Sequence, residues 1–186
     1  MVELHNIQTP YPFHTWAFDL VGPIAQQSKG RRWILTVIEV GTKWVEAIQM
    51  RKADGAGVTN FIRENIICRF GIPKVMLSDN RTPFVNCHVE RLLDDSQIKH
   101  HKYTTYYPHG NRQAEATNKT LIRILSKMMD EARGTWSEQL PIALWAYRTS
   151  RRKPIQATPF PLVYEYEAVL LVKWQYPQQE WLCRYT

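Results

Sequence analysis

The chain contains 186 residues, which is enough for one domain with a hydrophobic core. Lys and Arg number 24 against 17 Asp and Glu, and the net charge of +7 favours a polyanionic partner. No segment is long and apolar enough to cross a bilayer, and the N-terminus lacks the basic start and apolar run of a signal peptide. The three cysteines form no CxxC pair and no zinc spacing, which argues against a disulfide framework. These features predict an intracellular protein, nuclear or cytoplasmic.

A three-stranded meander is predicted near the N-terminus. Residues 15–21, 33–39 and 43–49 are rich in Trp, Val, Ile and Thr, and glycine-containing turns separate them. Alternating strands and connecting turns of this kind favour antiparallel pairing in one sheet.

Helices and strands alternate after the meander. A helix is predicted over 54–69, where apolar residues recur at helical spacing until Gly71-Ile72-Pro73 stops it. A buried strand is predicted over 74–79, a short helix over 87–94 and another strand over 98–104. The whole order predicts an α/β fold.

Two longer helices are predicted in the second half of the chain. The first follows residue 112, and its core-facing stripe contains Leu121, Ile124, Leu125, Met128, Met129 and Ala132. The second covers 134–150, and its apolar side contains Trp136, Leu140, Leu144 and Tyr147.

Three carboxylates stand at positions where they can converge. Asp19 and Asp79 each end an apolar run, and Glu115 opens the first long helix after the turn-like segment 107–111. Acids that converge raise each other's pKa unless a cation neutralises them, and carboxylate oxygens suit Mg²⁺ or Mn²⁺. Two metals held in this way can serve phosphodiester chemistry. The alternative is that these acids are ordinary solvated surface groups, because 17 acids produce many chance spacings.

A polar stripe follows Glu115 along the predicted helix. At about 100° per residue, Lys119 and Arg123 lie roughly 40° and 80° around the helix from Glu115. They are either a solvated face with a Glu–Lys pair or two phosphate contacts beside a metal ligand.

Several short motifs of the sequence resemble the integrase catalytic core of gypsy-type LTR retrotransposons, especially plant ones. The matching segments include Trp16-Ala17-Phe18-Asp19-Leu20-Val21-Gly22-Pro23, Thr42-Lys43-Trp44-Val45-Glu46-Ala47, Ser78-Asp79-Asn80, Gln113-Ala114-Glu115-Ala116-Thr117-Asn118-Lys119 and Leu144-Trp145-Ala146-Tyr147-Arg148-Thr149. They occur in order and with family-like spacing between about Pro10 and Val172. No single motif is decisive, and their combination is specific.

The resemblance implies a ribonuclease H-like fold, with a mixed five-stranded sheet flanked by helices. It also implies metal-dependent trimming of DNA 3′ ends and strand transfer into target DNA, with two Mg²⁺ or Mn²⁺ ions bound. The residues that match the family's catalytic and metal-binding acids are Asp19, Asp79 and Glu115, with Asp19 on the first, central strand. The expected DNA-binding residues are Asn111, Arg112, Gln113, Lys119 and Arg123. The expected partners are element ends, target DNA and a second copy of the core, through the helix over 134–150.

Three positions depart from the family pattern. Arg81, Arg112 and Glu165 stand where the family has glycine, and a left-handed backbone at such a place costs about 1–2 kcal/mol. Arg81 and Arg112 also add positive charge beside the catalytic acids, or contact phosphate. We therefore expect low or absent activity, as in a degenerate copy of an element.

Two other functions stay open at this point. One is a catalytically inactive remnant that binds nucleic acid through its charge, and the other is a ribonuclease H-type nuclease. The expected organisation is an N-terminal extension over 1–9, the catalytic core over 10–165 and an unplaced tail over 166–186. The family's zinc-binding and C-terminal modules find no counterpart here, so we expect an isolated catalytic core.

Overall fold

The computed structural model describes residues 9–24, 28–102, 109–131 and 135–168. Its strands are β1 (Thr15–Val21), β2 (Trp33–Glu39), β3 (Val45–Met50), β4 (Val75–Ser78) and β5 (Lys99–Lys102). They form one five-stranded sheet in the order β3-β2-β1-β4-β5. β1, β2 and β3 pair antiparallel, whereas β4 is parallel to β1 and to β5. The predicted meander and the central position of β1 are confirmed.

The helices cover both faces of this sheet. They are α1 (Gly55–Phe61), a π-helical segment (Ile62–Ile67), α2 (Cys68–Phe70), α3 (Cys87–Asp95), α4 (His109–Glu131), α5 (Trp136–Thr149) and α6 (Pro159–Tyr164). In the part of the chain that the structure describes, no helix is long and apolar enough to cross a membrane.

Local signals account for several helix ends. The Asp54 side chain accepts a hydrogen bond from the Gly57 amide and caps α1. Gly71, with φ +87°, ends α2 as predicted, because a residue with a Cβ adopts such a φ at a cost. Thr135 and Glu138 form a capping box at the start of α5.

Several element boundaries differ from the predictions, and one short helix was not predicted. β3 begins at Val45 rather than 43, because Lys43 takes φ +62° in the turn after β2. α4 begins at His109, so the turn predicted over 107–111 is wrong for residues 109–111. The hydrogen-bond ladder of a long helix outweighs the weak helix propensity of Gly110 and Asn111. β5 ends at Lys102, and residues 103–104 of that predicted strand lie outside the described part. The short α6 was not predicted.

Alternation along β1 divides the interior into two layers. Trp16, Phe18 and Leu20 pack in one hydrophobic cluster with the buried residues of α1 and α3. Ala17 packs in the other, which contains Leu121 and Leu125 of α4 and the apolar side of α5: Trp136, Leu140, Ala143, Leu144 and Tyr147. The predicted core stripes of α4 and α5 are therefore confirmed for the described residues. By the same alternation Asp19 lies on the face that α4 covers.

Candidate active site

Asp19 sits in the middle of the sheet. It lies on β1 opposite Thr36 of β2, and only 9% of the residue is exposed. Its Oδ1 accepts a hydrogen bond from the Leu20 amide at 2.8 Å. β1 is the central strand, and at Asp19 it is paired with β2, while its pairing with β4 covers residues 15–17.

Asp79 reaches the same place from the next strand. It follows directly after β4, which ends at Ser78 and runs parallel to β1. Because the carboxyl ends of parallel strands meet at one edge of a sheet, the two carboxylates come together there. The hydroxyl of Ser78 also donates to the Asp79 carbonyl at 2.9 Å, which fixes the backbone at this strand end.

The group that joins the two carboxylates is the guanidinium of Arg81. Its Nη2 lies 2.7 Å from Asp19 Oδ1, and its Nε donates to Asp79 Oδ2. The Arg81 backbone amide donates to Asp79 Oδ1 at 2.9 Å. The Arg81 side chain is 48% exposed, whereas those of Asp19 and Asp79 are 12% and 22% exposed. One cation thus bridges both acids from the open side of the site.

A second buried side chain holds Asp19 from the α4 side. Asn118 Nδ2 donates to Asp19 Oδ2 at 2.6 Å, and Thr36 Oγ1 donates to Asn118 Oδ1 at 2.6 Å. The sequence analysis missed both residues as parts of the site. Thr36 carried a signal, since it is a hydroxyl residue with three apolar residues before it and two after it in the β2 sequence WILTVIE. A polar residue buried in such a strand needs a hydrogen-bond partner.

Burial dominates the electrostatics of Asp19. Desolvation raises its pKa above the usual value, and the neighbouring Asp79 charge adds to this rise. The Leu20 amide, Arg81 and Asn118 act in the opposite direction, because each stabilises the ionised carboxylate. Burial therefore outweighs these three groups, and the pKa of Asp19 stays raised even with Arg81 beside its carboxylate.

The carboxylate oxygens of Asp19 and Asp79 are of the type that binds a hard divalent cation. Two carboxylates converge on one positive group, and carboxylate oxygens are the ligands that Mg²⁺ and Mn²⁺ prefer. Arg81 stands in for such an ion. Within the described residues, no three His, Cys, Asp or Glu side chains form a group that could hold a metal. The structure thus brings Asp19 and Asp79 together at Arg81, and a site shared with Glu115 stays a prediction.

The remaining predicted site residues lie on α4. Glu115, Lys119 and Arg123 are exposed, and Glu115 precedes Asn118 by one helical turn. Asn111, Arg112 and Gln113 belong to the first turns of the helix, and their side chains lie outside the described part. The predicted catalytic and DNA-binding roles of these residues stay predictions.

The three positions with glycine in the resembling family behave differently. Glu165 takes φ +62° and caps α6 in the left-handed region, which confirms that a glycine-type conformation exists there. Arg81 is not among the described residues with positive φ, and Arg112 lies within α4. The left-handed backbone on which the expected strain depended is therefore absent at these two positions, and any effect of the two arginines comes through charge and contact.

Comparison with known proteins matches this chain to integrase core domains. An integrase core domain family matches residues 10–108. The Gag-Pol polyprotein of avian reticuloendotheliosis virus is 29% identical over 160 residues, which cover 86% of this chain and 14% of the polyprotein. The chain therefore spans a small fraction of this relative.

Solved structures share the fold. The simian T-cell lymphotropic virus intasome, solved with the PP2A regulatory subunit B56 gamma, matches with a TM-score of 0.75 and 17% identity. That match covers 92% of this chain and 61% of the other. The catalytic core domain of BIV integrase matches with a TM-score of 0.67 and 21% identity, covering 82% and 95%. The predicted ribonuclease H-like fold is confirmed, and the chain belongs to the integrase core domain family.

Proposed function

We propose that this chain is the catalytic core of a gypsy-type retrotransposon integrase that binds DNA and performs metal-dependent 3′-end processing and strand transfer. The observation that carries the proposal is the convergence of Asp19 and Asp79 on one cation. Membership of the integrase core domain family supports it. The gypsy-type origin rests on the sequence motifs that resemble that family, between about Pro10 and Val172.

Different residues of the chain would bind metal and contact DNA. Asp19, Asp79 and Glu115 would hold divalent metal, which when bound stabilises charge on the attacking and leaving oxygens of a phosphodiester. Asn118 occupies Asp19 Oδ2 and leaves Oδ1 as the oxygen that faces Asp79 through Arg81. Lys119 and Arg123 stand exposed beside Glu115 and would contact DNA phosphates.

A second candidate function is favoured by Arg81. Its guanidinium occupies the place between the two acids, so metal has to displace a charge-assisted pair before it binds. In this reading the chain binds nucleic acid and its catalysis is reduced or lost, as in a degenerate copy of an element.

Strand transfer on a short DNA duplex with Mg²⁺ or Mn²⁺ tests both functions. The Asp79→Asn variant is the control for background cutting. We expect a weak signal from the unaltered chain and a larger one from the Arg81→Gly, Arg112→Gly double variant. Equal signals would show that the arginines are tolerated, and no Asp79-dependent signal from either protein would leave the binding remnant.

A second copy of the core is the expected protein partner. On α5 the side chains of Ile142 and Trp145 are each 42% exposed, which is unusual for large apolar groups on a core helix. We place a homodimer contact here. Sedimentation of an Ile142→Lys variant tests it, and an unchanged oligomeric state would contradict it.

A further inference from the structure

The loop after α5 contains the basic run Arg151-Arg152-Lys153, which the carboxylate site does not use. These side chains and Lys43 from the turn after β2 line one cleft of about 310 Å³. Thr117 and Thr120 of α4 form its other wall. Two segments that are more than a hundred residues apart thus bring four positive charges to one side of α4, and none of the described lining residues is acidic.

The cleft is built by hydrogen bonds within the chain. Arg152 Nη2 donates to the Tyr147 carbonyl at 2.9 Å, and its guanidinium lies 4.0 Å from the Tyr147 ring centroid. Arg151 Nε donates to the Gln156 carbonyl at 3.0 Å, across a turn closed by the pairing of Arg152 with Ala157. Neutral carbonyls position both arginines without cancelling their charge.

Lys43 is held in a comparable way. Its Nζ donates to the Val40 carbonyl at 2.5 Å. The nearest acid in its turn, Glu39, is fully buried and accepts hydrogen bonds from the Gly41 and Thr42 amides. Among the described residues, no carboxylate forms an ion pair with Lys43 or with residues 151–153. The charges of residues 151–153 are therefore available to an anion from solution, whereas the charge of Lys43 is partly balanced by the buried Glu39 carboxylate.

We propose that this cleft is a phosphate-binding subsite for the backbone of DNA bound at the carboxylate pair. Thr117 in its wall adjoins Asn118, which binds Asp19, so the cleft and the carboxylate pair both lie against the same segment of α4. The subsite would hold a backbone phosphate of the same DNA whose reacting phosphate lies at the carboxylate pair. This inference rests on the proposed DNA-binding function.

Fluorescence anisotropy with a labelled DNA duplex over a salt series tests the subsite. The test variant is Arg151→Gln, Lys153→Gln. The control is Arg63→Gln, Arg91→Gln, which removes the same charge from exposed positions on the helices of the opposite sheet face. Each lost phosphate contact should lower the slope of log affinity against log salt by about 1. We expect a lower slope and several-fold weaker DNA binding for the test variant, and neither change for the control.

A second pair of variants tests the subsite from α4, so that the result does not depend on changes in the loop over 151–153 alone. Thr120→Glu places a carboxylate in the cleft, and Thr120→Gln has the same size without the charge. We expect weaker DNA binding for Thr120→Glu alone, with both proteins unfolding at similar temperatures. If cleft variants and their controls bind DNA equally, the subsite is wrong while the proposed function stands. If the unaltered chain shows no salt-dependent DNA binding, the proposed function and the subsite both fail.

Discussion

Two clusters in which guanidinium groups bind carboxylates, one at Asp19 and Asp79 and one at Glu46, differ in exposure. At the candidate active site the Arg81 side chain is 48% exposed and bridges Asp19 and Asp79 from the solvent side. In the other cluster the Glu46 and Arg148 side chains are 6% and 16% exposed. The first cluster faces solvent through Arg81, whereas in the second the Glu46–Arg148 pair is buried and Arg69, with a side chain that is 40% exposed, covers its outer side.

The Glu46 cluster is closed by several further contacts. Glu46 Oε2 lies 2.9 Å from both Arg69 Nη1 and Arg148 Nη2, and its Oε1 accepts from Trp44 Nε1 at 2.8 Å. Arg148 also donates twice to the Val45 carbonyl and lies 4.3 Å from the Trp44 ring centroid. The cluster ties the end of α5 to β3, so its role is structural. The two clusters therefore differ in how fully other groups surround the ion pair.

The largest effect is expected from Arg148→Ala. It leaves Glu46 with one cation fewer and the Val45 carbonyl without its donor, and breaking a buried pair costs about 3 kcal/mol or more. Urea unfolding measures the loss. Arg63→Ala, at an exposed position, should change stability by less than about 0.5 kcal/mol. Equal effects of the two variants would contradict a structural role for the cluster, and added Mg²⁺ should rescue neither.

A smaller loss of stability, which metal should reverse, is expected from Arg81→Ala. In chelator, Asp19 and Asp79 lose their shared cation, and unfolding should become easier by about 1–2 kcal/mol, a half-exposed pair being partly screened by solvent. Mg²⁺ or Mn²⁺ should then restore stability by binding the folded state. Thermal unfolding with and without metal measures this. If metal stabilises the unaltered chain as strongly as the variant, Arg81 does not occupy the place where the metal binds.

Glu165→Gly should raise stability by roughly 0.5–1 kcal/mol. Glu165 holds φ +62° at the end of α6, and glycine removes the strain of a Cβ in the left-handed region. Glu167→Gly is the matched control, because Glu167 is exposed and is not among the described residues with positive φ. Denaturant unfolding should show a gain only at 165, and a loss there would argue that the acid makes a useful contact.

The smallest effect concerns the exposed pair of Glu138 and Lys29. Lys29 first, and then Thr135, lower the pKa of Glu138 from 4.5 to about 2. A carboxyl with a depressed folded pKa contributes stability above its unfolded pKa and loses it as the pH falls toward the folded pKa. The stability difference between the unaltered chain and Glu138→Gln should therefore shrink between pH 4.5 and about 2. Urea unfolding at several pH values checks this, and a difference that is constant with pH would contradict it.

Local patterns predicted the elements that bury a regular face. The apolar runs of β1 and β2 gave their observed bounds, and the spacing of Leu121 and Leu125 placed the buried stripe of α4. The short α6 was missed because six residues that begin with Pro159 present less than two helical turns of pattern. The π-helical segment was also missed, since one extra residue in a turn hardly alters the apolar spacing.

The sequence by itself determined where the acids stand along the chain, at strand ends and on the long helix, because strand and helix periodicities are local properties. It also contained the words that assign the family. Only the tertiary structure decided which groups meet: Arg81 with Asp19 across 62 positions, Asn118 with Asp19 across 99, and Lys43 with residues 151–153 around one cleft. Such contacts depend on sheet order and on how helices pack against it. No local periodicity encodes that information, so the identity of the cation between the two acids became visible only in the folded chain.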